Sequence, residues 1–151
     1  MRKTKFTVLL LMPIVVIVAV NCGGGGNNGA HIQPTQAVLK LSTTAPGPTI
    51  AAIDVTVQLP AGAMVRDAAP SGVAAAANPL SVVNPSVPGT VRIAMITVVG
   101  FGTGEFFMVN CDIASGSTPG AADFLIVHFN ASDSNGRAID GLAPVISVEM
   151  H

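Results

Sequence analysis

The sequence is poor in charged residues and poorer still in aromatic ones. Only 10% of its 151 residues are charged, whereas a typical soluble domain has about 25%. The aromatic residues, 4% of the chain, are six Phe, with no Trp or Tyr. Seven Lys and Arg in total are too few for the basic surface that binds nucleic acid. Because half of the residues are hydrophobic, a highly charged disordered chain is excluded as well.

Long hydrophobic runs are also scarce, which argues against a multi-pass membrane protein. The one such run covers residues 6–20, and it follows the basic residues Arg2, Lys3 and Lys5. A basic start followed by an apolar stretch of this length is typical of a secretory signal peptide. The run is short for a membrane-spanning helix, and Pro13 interrupts it. The pattern therefore predicts a signal peptide over residues 1–21.

The end of this run, AVNCG at residues 19–23, resembles the lipobox of bacterial lipoproteins. The resemblance implies cleavage before Cys22 and attachment of a diacylglyceryl group to its thiol. The residues that follow, 22–35, are rich in Gly and Asn and suit a flexible tether. An exported protein anchored by lipid in a membrane of the bacterial envelope or at the cell surface is thus expected. An ordinary signal peptide with an incidental Cys is the alternative.

The expected processing changes the cysteine and charge counts. Residues beyond the tether hold four basic side chains against eight acidic ones, which gives a net charge of −4. Lipidation of Cys22 would leave Cys111 as a lone thiol. Without lipidation, a disulfide between Cys22 and Cys111 is conceivable. The pattern around Cys111 is that of a strand, and Cys in a strand core usually acts as a small hydrophobic residue.

The remaining chain, residues 36–151, has strand patterns almost throughout. Residues 53–59 alternate strictly between apolar and polar, as in a strand with one buried and one wet face. Residues 90–99 are apolar on both phases except at Arg92, which predicts a central strand covered on both sides. Further strands are expected at residues 37–41, 105–113, 123–131 and 145–150.

The stretch from residue 61 to residue 88 has a weaker pattern. Its four consecutive Ala at 74–77 suit one helical turn, and short strands near Val73 and at residues 80–83 are the alternative. Pro70, Pro79 and Pro85 leave no room for a long helix. Many short strands without a helical period predict an all-β fold, an antiparallel β-sandwich.

Four motifs in this order resemble the cohesin domain and related carbohydrate-binding sandwiches. They are IDVTVQLP at 53–60, GTVRIA at 89–94, GEFFMV at 104–109 and DSNG at 133–136. The resemblance covers residues 36–150 and implies a jelly roll of about nine strands. It also implies non-covalent binding of another protein, a dockerin-like module in the case of cohesins. Polysaccharide binding is known among the related sandwiches. It is disfavoured here because sugar rings stack on exposed aromatic side chains, and the sequence has no Trp or Tyr.

The late turn offers one candidate metal site. Asp133, Asn135 and Asp140 supply oxygen ligands around Gly136, and calcium loops need hard ligands on a sharply turning backbone. The alternative, which the pattern favours, is an ordinary Asn-Gly hairpin turn. No cofactor other than this calcium ion is indicated.

No catalytic residues are predicted, because no Ser, His and Asp set has the context of a nucleophile. The sequence therefore predicts a cell-envelope lipoprotein whose cohesin-like module binds a protein and is not an enzyme. Two alternatives stay open. One is a structural subunit of a surface layer or filament, which low charge and abundant Ala and Val also suit. The other is a carbohydrate-binding module.

Overall fold

A computed structural model describes residues 33–44, 47, 49–85 and 87–151. The expected signal peptide at 1–21, Cys22 and most of the 22–35 tether lie outside the described residues. No helix within the described ranges is long and apolar enough to span a membrane.

Eight strands and two short helical turns make up the described part of the chain. In chain order they are β1 (Gln36–Thr44), β2 (Ile50–Gln58), β3 (Ala63–Pro70), the helical turn α1 (Gly72–Ala75), β4 (Leu80–Asn84), β5 (Thr90–Phe101), β6 (Gly104–Ile113), a 3-10 turn (Ala121–Asp123), β7 (Leu125–Ser132) and β8 (Ala143–Met150). The eight strands are close to the nine expected. The helical turn α1 begins at Gly72 and overlaps the Ala-rich stretch.

The strands form two four-stranded sheets in which every pairing is antiparallel. Sheet 1 has the order β3-β6-β1-β8, and sheet 2 has the order β4-β5-β2-β7. The expected fold class, an antiparallel β-sandwich, is confirmed. Only β4 and β5 are consecutive strands of one sheet, and they pair directly; all other consecutive strands lie in different sheets. Most of the pairing therefore joins distant parts of the sequence.

The core lies between the two sheets and is built from alternate residues of their strands. Ile53, Val55 and Val57 of β2 are buried, as the strict alternation predicts. In β6 the predicted inward set is buried too: Phe107, Val109, Cys111 and Ile113. Full burial of one such side chain contributes about 1.5–3 kcal/mol.

Phe106 departs from simple alternation, because it is buried next to the buried Phe107. The register between β1 and β6 shifts at Leu41, leaving Phe106 without a partner residue in β1. A bulge of this kind redirects a side chain, and here it directs Phe106 into the core. Its ring centroid lies 6.4 Å from that of Phe129 in β7, so the contact joins the two sheets.

Two details of the sequence-based assignment are wrong. The strand β3 was not expected, because its residues are small or polar and its register with β6 slips between Val65 and Asp67. The strand β5 is central, as predicted, but it is covered on only one face. Its residues alternate between buried and exposed, although those on the exposed face are largely apolar.

Candidate functional site

The outer face of sheet 2 includes the exposed face of β5, which the sequence pattern predicts to be buried. Cross-strand partners place its side chains in rows that run from β4 through β5 and β2 to β7. One row comprises Leu80, Ile96, Ala52 and Ser132, the next Val82, Ala94, Asp54 and Asn130, and the third Asn84, Arg92, Thr56 and His128. The β4 and β5 residues of the first two rows form an apolar side of the face, and the β2 and β7 residues together with the whole third row form a largely polar side.

Four aliphatic residues on the apolar side form what we call the apolar corner: Leu80, Val82, Ile96 and Val98. Their exposed fractions are 79%, 68%, 57% and 98%, respectively. Single exposed aliphatic residues are common on soluble proteins, but a contiguous group of them is typical of an interaction surface. The apolar corner is therefore the main candidate for a functional surface.

A bulge at the end of β5 pushes this corner outward. The four residues 97–100 of β5 lie opposite the single residue Ala51 of β2. The Thr97 hydroxyl donates to the carbonyl of Ala77 at 3.2 Å and accepts from the N–H of Val99 at 3.3 Å. Gly100 has a φ of +70°, a conformation that glycine adopts without strain. These local features hold Val98 and Val99 in solvent.

A shallow groove crosses the middle of the face. Its volume is about 320 Å³, and its lining includes Leu80 and Val82 on one side and Asp54 and Asn130 on the other. Most of the lining is apolar, with a small number of polar groups, as is usual for binding grooves. The groove joins the apolar and the polar sides of the face.

Among the described residues, the polar side carries one ion pair, between Asp54 and Arg92. The Arg92 Nε donates to Asp54 Oδ1 at 2.9 Å, and a second guanidinium nitrogen donates to Oδ2. These hydrogen bonds lower the pKa of the Asp54 carboxyl and raise that of Arg92. Because the two charges cancel, the centre of the face has no net charge.

The outer face of sheet 1 is different in character. There Lys40 donates to Glu149 at 2.6 Å, and Arg66 lies within salt-bridge distance of both Asp67 and Asp112. Asn110 also hydrogen-bonds to Asp67. This face carries interacting charged groups beside the exposed Met64, so the two sheets present unlike surfaces to solvent. The contrast favours sheet 2 as the site of an apolar contact.

The predicted late turn forms a closed loop after β7. The backbone N–H groups of Asn135 and Arg137 both donate to Asp133 Oδ1 at 2.9 Å. The backbone N–H of Asp133 donates to the Arg137 carbonyl at 2.9 Å. The bonds that Asp133 Oδ1 accepts lower the pKa of its carboxyl. One carboxylate oxygen is thus engaged in stabilising the turn, as the hairpin interpretation predicts.

The other candidate calcium ligands lie in the same segment. Asn135 and Asp140 are exposed, and a hydrogen bond from the Asn135 side chain also lowers the pKa of the Asp133 carboxyl. Within the described ranges no group of three or more His, Cys, Asp or Glu is placed to hold a metal ion. Calcium binding at Asp133, Asn135 and Asp140 stays a prediction, which is tested below.

Cys111 is a free, buried thiol. Burial raises its pKa to about 11, and the carboxylates of Asp112 and Asp67 add to this effect. Because the thiolate is the reactive form, the thiol is inert in the folded protein. Cys22, the predicted lipidation site, lies outside the described residues.

The apolar corner was missed from the sequence because Ile96 and Val98 belong to a strand that was predicted to be covered on both sides. One signal was present: Leu80 and Val82 lie in a short run bounded by Pro79 and Pro85, as short edge strands do. An edge strand beside an apolar strand points to an apolar surface near the sheet edge. His128 of β7 is exposed beside Thr56.

Comparison with known proteins finds solved structures with a similar fold but no close sequence match. No protein-family model and no curated protein matches the chain. Two similar solved structures are a non-cellulosomal cohesin from the archaeon Archaeoglobus fulgidus and the sixth cohesin from scaffoldin B of Acetivibrio cellulolyticus, in complex with a mutant Cel5 dockerin.

The similarity extends over most of the described residues. The archaeal cohesin has 12% identity and a TM-score of 0.55, over 72% of this chain and 75% of that one. The Acetivibrio cohesin has 14% identity and a TM-score of 0.58, over 70% of this chain and 82% of that one. At such identities the likeness is one of fold. With its two four-stranded antiparallel sheets, this chain is a cohesin-like β-sandwich.

Proposed function

We propose that the chain is a binding module whose sheet 2 docks a protein partner non-covalently through its outer face. The observation that carries the proposal is the apolar corner, with the neutral Asp54–Arg92 pair and the groove beside it. Burying the corner would remove four exposed aliphatic side chains from water, which favours association. The ion-paired outer face of sheet 1 offers no comparable gain.

The partner that fits this proposal is a dockerin-like module. Support comes from the cohesin fold of the structural neighbours, one of which was solved in complex with a dockerin. The surface itself supports a partner with a largely apolar contact patch and a few uncharged polar groups. Such a patch would meet the apolar corner on β4 and β5 and the polar groups on β2 and β7.

A binding role fits the chemistry of the described residues better than catalysis does. The Cys111 thiol is buried with a raised pKa, and the Asp54 carboxylate is held by Arg92. Polysaccharide binding is less well supported. Of the five Phe in the described residues, four are buried and Phe129 packs against the core, so none stands out as a platform for sugar rings.

The location proposed for this module is the bacterial cell envelope, with Cys22 as the lipid-bearing residue. This part of the proposal rests on the sequence pattern of residues 1–23. A flexible tether of about 13 residues would allow the sandwich to stand roughly 20 Å from the membrane. The binding face would then remain accessible to soluble or secreted partners.

The test is a pull-down with two matched variants. Residues 30–151 would be immobilised and exposed to the envelope and secreted fractions of the source cell, with captured proteins identified by mass spectrometry. Ile96→Asp places a charge in the apolar corner. Met64→Asp places the same charge at an exposed position of sheet 1 and serves as the control, and circular dichroism would check that both variants fold.

We expect a discrete protein to bind the wild type and Met64→Asp but not Ile96→Asp. A captured protein with paired calcium loops that is released by chelator would identify a dockerin-like partner. Equal capture by all three baits would contradict a contact through the apolar corner. Capture of nothing but the bait's own full-length form would favour the structural-subunit alternative.

A further inference from the structure

The groove on the outer face of sheet 2 owes its shape to two small residues. Ala94 of β5 and Ala52 of β2 both line it. Each of them lies in a row beside a larger aliphatic side chain, Val82 next to Ala94 and Ile96 next to Ala52. Because a methyl group leaves space that an aliphatic side chain would fill, the two alanines form the floor of the groove.

The groove is large enough for one ring-sized side chain. Its volume is about 320 Å³, whereas a closed cavity of about 150 Å³ already accommodates benzene. Val82 of β4 and Asp54 of β2 stand on its two sides, with only β5 between these strands. Two strand spacings make this width about 10 Å. A flat side chain can therefore lie on the alanine floor between the two sides.

The two sides of the groove differ in chemistry. Leu80 and Val82 on one side are exposed aliphatic residues. Asp54, Asn130 and Ser132 on the other side bring carboxylate, amide and hydroxyl groups. A wholly apolar occupant would cover these polar groups without replacing their hydrogen bonds to water, which is unfavourable. An occupant with an apolar body and a hydrogen-bonding tip matches both sides.

The charges around the groove favour an uncharged tip. Both carboxylate oxygens of Asp54 already accept hydrogen bonds from Arg92, so a cation would find no unpaired anion there. An anionic tip would approach the Asp54 carboxylate, and a buried charge without a partner is costly. A hydroxyl group, by contrast, can donate to a remaining lone pair of Asp54 and accept from the amide of Asn130.

We propose that this groove is the anchor pocket of the binding face and receives one tyrosine side chain of the partner. Its ring would lie over Ala94 and Ala52, and its hydroxyl would meet Asp54 and Asn130. Tyrosine joins a large apolar area to a polar tip, has few rotatable bonds to order, and is common among the residues that dominate interfaces. The inference rests on the proposed function and names the chemistry of the partner's central contact.

Ala94 is the specificity-determining residue in this arrangement. It lies in the middle of β5 and is exposed, so a larger side chain there would occupy the place of the ring. The fold itself does not require alanine at this position, because the side chain points away from the core. A substitution of Ala94 therefore tests the pocket without removing a core contact.

The anchor pocket can be tested without the partner. An isotope-labelled sample of residues 30–151 is suitable, because the unit from Ile32 to His151 is compact and has its own core. Its amide chemical shifts would be followed by NMR during titration with N-acetyltyrosinamide. A second titration would use N-acetylphenylalaninamide, which lacks the hydroxyl group.

We expect the tyrosine amide to shift the signals of Ala52, Val82 and Ala94 with a dissociation constant in the millimolar range, as suits a single side chain. The phenylalanine amide should bind roughly 2–10-fold more weakly, because it lacks one uncharged hydrogen bond. Equal binding of the two amides, or shifts confined to residues outside the pocket, would overturn the proposal. Absence of any shift at the highest soluble amide concentration would do the same.

Three substitutions separate the floor of the pocket from its polar side. Ala94→Leu fills the pocket and should abolish binding of both amides. Ala69→Leu makes the same change at an exposed position of sheet 1 and should leave binding unchanged. Asn130→Ala should weaken binding of the tyrosine amide alone. Circular dichroism would check that the variants fold, and binding that survives in folded Ala94→Leu would contradict the proposal.

The pull-down distinguishes this inference from the proposed function. A partner that is lost by Ile96→Asp but retained by Ala94→Leu would support the binding face and contradict the anchor pocket. Conversely, binding of the tyrosine amide at Ala94 without any captured protein would support the pocket and count against the proposed function. Loss of the partner in both variants, with retention in Ala69→Leu, would support both.

Discussion

Arg92 and Asp54 lie diagonally across the β5–β2 pair, and the guanidinium of one holds both carboxylate oxygens of the other. Fork-to-fork pairing of this type is the strongest geometry for an Arg–carboxylate contact. The pair sits at the centre of the outer face of sheet 2. It therefore removes the net charge from a surface that borders the apolar corner.

The pair makes a small, pH-dependent contribution to stability. The pKa of the Asp54 carboxyl is lowered in the folded protein, chiefly by the hydrogen bonds from Arg92. A carboxyl with a depressed folded pKa stabilises the fold above its unfolded pKa, about 3.9. The contribution is lost as the pH falls through the folded pKa. Because both side chains are partly exposed, it should amount to at most about 1 kcal/mol.

We predict that Asp54→Asn lowers the melting temperature slightly at pH 7 and by less at pH 3, because the folded pKa of the carboxyl is lowered. Thermal unfolding followed by circular dichroism at both pH values measures this difference. Asp140→Asn provides a matched change at an exposed carboxyl. An equal loss for Asp54→Asn at pH 3 and pH 7 would contradict the assignment.

Gly72 marks a close approach between α1 and β6. It has a φ of +52°, and a Cβ at this position would lie 2.4 Å from the carbonyl oxygen of Glu105. We predict that Gly72→Ala destabilises the fold by roughly 3 kcal/mol, because backbone strain adds to a clash with backbone atoms. Urea unfolding would measure the loss.

Gly116→Ala is the control for this substitution. Gly116 also has a positive φ, but a Cβ there meets nothing within 4 Å. The conformational cost alone is about 1–2 kcal/mol. Similar losses for the two variants would show that the approach to Glu105 is unimportant.

The Cys111 thiol should not react in the native protein. Its burial and its pKa of about 11 leave almost no accessible thiolate at neutral pH. We predict no reaction with a thiol reagent such as DTNB until denaturant is added, and then one equivalent per chain of residues 30–151. The exposed thiol of Val98→Cys should react at once in the same assay. Rapid labelling of the native wild type would show that the sandwich opens easily at β6.

The turn at Asp133 should be stabilised by its own hydrogen bonds and not by calcium. Asp133→Ala removes the oxygen that accepts from Asn135 and Arg137, so the melting temperature should fall. Asp133→Asn keeps an oxygen acceptor and should fall less. We expect the wild-type melting temperature to be the same in calcium and in chelator. A rise with calcium that Asp140→Ala abolishes would instead establish the calcium site.

If Cys22 is lipidated, it should be the residue that incorporates a labelled fatty acid. A bacterium that expresses the full chain in medium with an alkyne-bearing fatty acid should incorporate the label into the wild type and into Cys111→Ser. Cys22→Ser should remain unlabelled and leave the membrane fraction. Export of the wild type without any label would support the ordinary signal peptide instead.

Local periodicity was sufficient to predict most of the strands. In β2 the strict alternation of apolar and polar residues identifies the buried face, because successive side chains of a strand point to opposite sides. The same rule places Val109 and Cys111 of β6 in the core. It does not predict β3, whose small and polar residues and register slip carry no clear period.

The candidate site shows the limit of the same rule. For β5 the pattern is apolar on both phases, and a second covering layer is the usual reason for that. No described part of the chain covers this face of β5, and Ile96 and Val98 face solvent. The bulge that exposes Val98 depends on Thr97 meeting the carbonyl of Ala77, twenty residues earlier, and no local pattern reveals such a contact.

The sequence by itself determined the all-β class, the inward face of the main strands and the Asp133 turn, because these follow from side-chain alternation and from turn residues close together in the chain. Tertiary structure alone decided which apolar face remained uncovered. That outcome depends on which strands become neighbours and on where the two sheets pack against each other. The physical reason is that alternation within a strand sets the side to which a residue points, whereas burial requires another layer to lie on that side.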